Sequence, residues 1–495
     1  MEKLLRSLLG AGFTLAATLS SPAEITLPTF FSDHMVIQAD TPTRLWGWAR
    51  SGESVEVTID GKSVSTMAAN GRWEVELPPV SAGGPYTLHL RGFNEVEIED
   101  VLAGEVWLAS GQSNMNMRLN RTARAEAEIA AADYPEIRFF IVNRAASEEP
   151  EADLEGSWYV CSPETAGDFS GVAYHFARTL HEELDRPVAV LQSSVGGTLV
   201  NNWTSEPVLR ANAETQPYFE RYGKMVVSYP EEMRAFRQGE LEKEPKHPND
   251  RMPSGYFNAM IAPLAGYTMQ GAIWYQGETD SWRAAPYARM FPDMIHDWRT
   301  RWGQGDFPFL FVQLPGFDGK PGVNENYPVI REIQRRTLAV LPHLGMAVTI
   351  DLGEIDDIHP KNKKDVGARL GAVGLREVYG REVIAYGPRF QGVALAGAET
   401  RVYFDTTGEL RTTDGESLRG FEVRDRSGTW HPVAAEFDDH AVALEVPAGV
   451  EPQAVRYAWA GFPDGNLTDE SALPASPFGS DPRMVREVPV WEIPE

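Results

Sequence analysis

Between residues 104 and 379 the chain alternates short, wholly apolar segments with longer amphipathic ones, and no other property narrows its fold so far. Apolar runs buried on both faces mark parallel strands, because crossover helices cover both sides of such a sheet. The reading predicts strands at 106–109, 188–191, 271–275, 309–313 and 346–350, with helices at 172–184, 286–302 and 365–379. A polar stretch rich in Glu, Lys and Pro, 229–253, interrupts the alternation and is read as a surface insertion. The expectation is an α/β domain with a mostly parallel sheet over 104–387.

The flanks have a different texture. From 24 to 103 short alternating strands are separated by the turn dipeptides Asp60-Gly61 and Asn70-Gly71, which predicts a small sandwich-like all-β domain. From 388 to 495 strand and turn chemistry returns, with segments at 421–424 and 454–459, and a C-terminal β region is expected. Lys3 and Arg6 precede an apolar run, 8–19, and the small residues before and at Ala23 suit signal-peptidase cleavage. Residues 1–23 are therefore read as a leader and the protein as exported, periplasmic or extracellular. No later stretch of about 18 apolar residues offers a membrane span.

Acidic residues outnumber basic ones 71 to 45, a formal charge of −26 that repels a phosphate backbone, so nucleic acid is not an expected partner. The single cysteine, Cys161, has no thiol to pair with and is read as buried and inert.

Open parallel sheets bind ligands beyond the carboxyl ends of their strands, so the residues following each expected strand carry the most information. The first strand runs into Ser110-Gly111-Gln112-Ser113-Asn114, where a serine at a strand-to-helix junction has an exposed hydroxyl; the same serine also suits a plain helix cap. The second ends in Gly196-Gly197-Thr198, whose paired glycines let a backbone N–H approach a ligand, or simply turn the chain. The third ends in Gln276-Gly277-Glu278-Thr279-Asp280, with an amide able to serve an oxyanion hole and an acid able to orient a catalytic group. The last is followed by Asp356-Asp357-Ile358-His359, where a carboxylate three residues before an imidazole can bond Nδ1 and leave Nε2 free as a base. A metal site is the rival for the stretch holding Asp351, Glu354, Asp356, Asp357 and His359, but one imidazole is a poor ligand set and no metal is expected. Together the four strand ends supply a nucleophile, a base with its acid, and oxyanion donors.

These stretches, with Gly104-Glu105-Val106-Trp107-Leu108, Trp274-Tyr275-Gln276-Gly277-Glu278, His359-Pro360-Lys361-Asn362-Lys363 and the C-terminal Pro463-Asp464-Gly465-Asn466, carry a resemblance over nearly the whole chain. The sequence resembles the sialate O-acetylesterase family, a branch of the SGNH hydrolases related to carbohydrate acetyl esterases. The resemblance implies a three-layer α/β/α catalytic domain, no metal or organic cofactor, and an acyl-enzyme mechanism. It implies Ser113 as nucleophile, His359 as base, and Ser113, Gly196, Gly197 and Gln276 around the oxyanion. For the acid that orients His359, Asp356 ranks first, Glu278 second and Asp357 third. Asn114, Trp203 and Trp282 are candidates for the substrate pocket, while Trp274 and Tyr275 are expected in the core. The expected activity is removal of O-acetyl groups from carbohydrates, with O-acetylated sialic acid first and acetylated xylan or another polysaccharide as the alternative. A non-catalytic carbohydrate-binding protein is the alternative from another class.

Overall fold

The computed structural model describes residues 24–319 and 323–485, so the expected leader lies outside the described residues. The molecule is mixed α/β, with one large mixed sheet and separate all-β sheets toward the C-terminus.

Seven strands form the path that positions the site: β1 (Glu95–Gly111), β2 (Tyr134–Val142), β3 (Gly156–Cys161), β4 (Val188–Ser194), β5 (Gly271–Tyr275), β6 (Phe309–Val312) and β7 (Leu344–Ala347). Their order is β7-β6-β5-β1-β4-β2-β3. All neighbouring pairs are parallel except β2 with β3. Every residue of β4, β5 and β6 is buried, as their unbroken apolar text requires once helices cover both faces. β2 and β3 were not anticipated. β3 is an antiparallel edge strand with only two of its six residues buried, so its composition lacks the fully buried signature.

The covering helices include α1 (Ser113–Asn116), α2 (Gly171–Leu184), α3 (Gln216–Arg237), α4 (Ala284–Trp302), α5 (Val323–Thr337) and α6 (Lys363–Glu377). α2, α4 and α6 stand within two residues of the expected spans. α2 is capped by Ser170, whose Oγ accepts the Ala173 N–H at 3.2 Å. The first part of the expected polar insertion lies on α3, a helix that carries Pro230 in its interior. β7 falls earlier than the expected 346–350, and Ile350–Leu352 forms a 3₁₀ turn instead.

β1 is the hinge of the architecture. Its first half pairs with Gly83–Arg91, and its second half lies between β4 and β5, so one uninterrupted strand crosses the expected boundary at 103–104. The N-terminal strands and the α/β body accordingly share one continuous apolar core. The segment after residue 388 has its own core around Val423, Val442, Val455 and Phe478. Fully buried Arg331 bridges the two by donating to Pro315 O at 3.2 Å and Gly461 O at 3.1 Å. No helix among the described residues is long and apolar enough to cross a membrane.

Candidate active site

Strand order reverses at β1, whose sequence neighbours run off to opposite sides, and the crevice at such a switch point opens beyond the carboxyl ends of β1, β4 and β5. Ser113 opens α1 immediately after β1. Gly111 makes this turn possible: its φ is +137°, and a Cβ there would sit 2.2 Å from Tyr275 O. The chain therefore passes directly over the end of β5 and delivers Ser113, half-buried, to the crevice.

His359 arrives from the far side of the sheet, on the loop between β7 and α6. Its Nε2 is 2.8 Å from Ser113 Oγ, joining residues 246 positions apart. Burial lowers the imidazole pKa from its ordinary value, helped by the charges of Lys363, Lys361 and Arg121 and opposed by Asp357. The ring is thus neutral over a wider acid range and ready to accept a proton.

The carboxylate beside the ring is Asp357. Its Oδ1 accepts the His359 backbone N–H at 2.8 Å and lies 3.8 Å from Nδ1. Asp356, ranked first from spacing, is exposed and makes no hydrogen bond or ion pair with the imidazole among the described residues. The 3₁₀ turn and the loop after it set this direction, and residue spacing along the chain does not encode it. The other acids once weighed as metal ligands are engaged elsewhere: Asp351 pairs with Arg369 through two bonds of 2.6 Å, and Glu354 accepts the Lys361 N–H at 2.7 Å. Among the described residues no three His, Cys, Asp or Glu side chains gather to hold a metal ion.

Gly196 and Gly197 follow β4, and a Cβ built on Gly196 would lie 3.4 Å from Ser113 Cβ, ordinary contact distance, so the loop runs against Ser113 at Gly196. Gly197 has φ +73°. Gln276 stands differently from its expected role. It is fully buried, and its Nε2 donates to Thr198 O at 3.1 Å and Asp280 Oδ2 at 2.5 Å, which uses both amide hydrogens.

The pocket candidates also divide. Trp203 has no exposed surface; its Nε1 donates to Thr198 Oγ1 at 2.9 Å and its ring stacks on Tyr256, which makes it core. Trp274 and Tyr275 are fully buried, as expected. Trp282 is half-buried and packs against the apolar core. Asn114 is buried behind the serine, where Nδ2 donates to Glu278 Oε1 at 2.5 Å and Ile358 O at 3.0 Å, and Oδ1 accepts Lys363 Nζ at 2.7 Å.

That last network is where sequence reading was silent. Lys363 is fully buried over the Tyr275 ring, and burial pushes its ammonium down to about 7 while Glu278 opposes the shift. Glu278, weighed as the partner of the imidazole, is instead bonded to Asn114, and burial raises its pKa. A Lys two residues after a strand-end His-Pro-Lys run was the one available signal.

Residues 249–373 match the family described as carbohydrate esterase, sialic acid-specific acetylesterase. A sialate O-acetylesterase from Mus musculus is 30% identical over 91% of this chain and 93% of its own length. The chain belongs to the sialate O-acetylesterase family. The Homo sapiens sialate O-acetylesterase is 28% identical over 91% of each chain. Among solved structures, a carbohydrate acetylesterase from Xanthomonas citri is 35% identical, covers 93% of this chain and all of its own, and superposes with a TM-score of 0.82. The stretch matching the family description contains Gln276, Glu278, Asp280, Asp357, His359 and Lys363, while Ser113, Asn114, Gly196 and Gly197 lie outside it.

Proposed function

We propose that this family member removes acetyl groups from O-acetylated carbohydrates, with O-acetylated sialic acid as its preferred substrate, through an acetyl-Ser113 intermediate. The single observation that carries the serine mechanism is the 2.8 Å approach of His359 Nε2 to Ser113 Oγ. His359 takes the hydroxyl proton as Oγ attacks the acetyl carbonyl, and the Ser113 and Gly196 N–H groups face the oxyanion that forms. Collapse breaks the bond to the sugar oxygen, which leaves with the proton held by His359. Water, deprotonated by the same imidazole, then releases acetate and restores the serine.

Asp357 serves this cycle by shaping the loop through the His359 N–H and by favouring the imidazolium at 3.8 Å. In this reading the α/β body is an SGNH-type three-layer domain, and the protein acts outside the cytoplasm once residues 1–23 are removed. Acetylated xylan or another acetylated polysaccharide is the second reading; the Xanthomonas citri relative is described as a carbohydrate acetylesterase, without a named sugar.

Acetate release from a panel of O-acetylated sialic acids, acetylated xylan fragments and other acetylated glycans tests both. Faster turnover of sialic acid esters, abolished in Ser113→Ala, is the expected result. Hydrolysis that survives Ser113→Ala would end the serine mechanism, and a preference for xylan fragments would move the substrate to the second reading.

A further inference from the structure

The loop carrying Gly196 and Gly197 is held from beneath by side chains that do not reach solvent. Thr198 O accepts Gln276 Nε2 at 3.1 Å, and the second N–H of the same amide goes to Asp280 Oδ2 at 2.5 Å. That oxygen also accepts the Val200 N–H at 2.9 Å. Gln276 and Asp280 are both 0% exposed. The segment after α3 holds the same loop from the other side: Arg251 Nη1 donates to Gly197 O at 2.6 Å, and the Ser254 N–H donates to Asn201 O at 2.9 Å.

A carboxylate in a dry interior is costly, and a site that needed only packing is served as well by an apolar side chain. Asp280 nevertheless stands there, with Oδ1 lacking any hydrogen-bond partner among the described residues. Burial pushes its carboxyl up to about 7, a perturbation of the kind that concentrates at working sites.

We infer that Asp280 is a positioning residue for acetyl transfer: by bonding the Val200 N–H and locking Gln276 onto Thr198 O, it fixes the glycine loop, and with it the Gly196 N–H, against Ser113. The inference rests on the esterase reading above. It also gives Gln276 work as a spacer between the carboxylate and the loop. Neither side chain touches the reacting atoms.

The test uses the full chain, 4-nitrophenyl acetate as substrate, and a small alkyl boronic acid as a tetrahedral mimic that needs the oxyanion contacts. For Asp280→Ala the expected result is a kcat lower by about 10²-fold, a parallel loss of boronate affinity, and a KM within about threefold of the wild type. Asp280→Asn can place its one oxygen at the position of Oδ2, where it still accepts both the Val200 N–H and Gln276 Nε2, so both quantities are expected within about threefold of the wild type. Wild-type kcat and boronate affinity in Asp280→Ala overturns the inference. So does a fall in kcat with boronate affinity intact, because that reports fewer folded molecules rather than a displaced loop. If Asp280→Ala does not fold, Asp280→Val, which fills the site without offering an acceptor, decides by the same criterion. Wild-type hydrolysis that does not depend on Ser113 would sink the serine mechanism and this inference together, whereas Ser113-dependent hydrolysis indifferent to Asp280 sinks this one alone.

Discussion

Ser113 and His359 stand half-exposed at the mouth of the site, joined by one hydrogen bond, while Asn114, Gln276, Glu278, Asp280 and Lys363 behind them are buried and bonded to one another or to backbone. The difference separates two jobs. Groups that react must meet substrate and water, so they cannot be enclosed. Groups that hold them must not move, and a buried polar frame has few alternative arrangements because each one leaves a polar atom unpaired. Damage at the mouth is therefore expected to remove activity and spare stability, and damage to the frame is expected to lower activity and stability together.

The largest effect belongs to the mouth. Ser113→Ala and His359→Ala are each expected to lower kcat for 4-nitrophenyl acetate by about 10⁴-fold or more, since such residues act as a unit. Thermal midpoints should stay near the wild type, because neither side chain is part of the buried frame. Combining the two substitutions should cost little beyond either alone. Losses that multiply in the double variant would mean that the two residues do not share one step.

The frame comes next. Lys363→Met keeps the volume and removes the ammonium, leaving Asn114 Oδ1 without its 2.7 Å donor and Glu278 without its nearby cation. Breaking one side of a buried charged arrangement costs about 3 kcal/mol, which urea denaturation would read as a lower midpoint. Activity should fall as well, because Asn114 also anchors Ile358 O, adjacent to the base. A Lys363→Met protein with wild-type stability and turnover would erase the distinction between mouth and frame.

How far sequence could see depends on which of the two is asked about. The buried strands β4, β5 and β6 were legible because burial on both faces leaves no polar residue in the text, and Ser113 and His359 were legible because their chemistry is rare at strand ends. α5 was missed because Pro328 lies inside it and reads as a break. β7 was placed late because Val348, Thr349 and Ile350 continue an apolar, β-branched run that the chain spends on a turn. At the site, spacing located side chains along the chain but not the direction in which they point. Gln276 ends β5 as expected yet turns inward to Asp280, Trp203 turns into the core, and Asp357 rather than Asp356 faces the imidazole.

Asp357 sharpens the comparison from the exposed side. Its carboxylate is held below the usual range, chiefly by the His359 N–H bond and then by Lys361. A buried aspartate bonded directly to the ring nitrogen of a catalytic histidine is worth about 10⁴-fold. Here the ring contact is 3.8 Å and half-exposed, so Asp357→Ala is expected to lose only about tenfold in kcat. Asp356→Ala, at an exposed position without a bond to the ring, should match the wild type. A reversed pair of results would return the orienting role to Asp356.

The smallest expected effect is a shift in pH dependence, and its sign separates the exposed charges from the burial that dominates the base. In the serine mechanism proposed above His359 works only when neutral, and its pKa is lowered from 6.5, so the acid limb of kcat/KM should lie below pH 6.5. Asp357 favours the imidazolium and Lys361 disfavours it. Removing the carboxylate in Asp357→Asn should therefore move the limb to lower pH, and removing the ammonium in Lys361→Ala should move it higher. Exposed charges of this kind are worth about 0.2–1 kcal/mol, a few tenths of a pH unit. Because those charges are screened by salt, the two limbs should converge on the wild type at high ionic strength, while the displacement below pH 6.5 should persist. A wild-type limb that itself climbs back to 6.5 in salt would mean that surface charge, rather than burial against the frame, tunes the base.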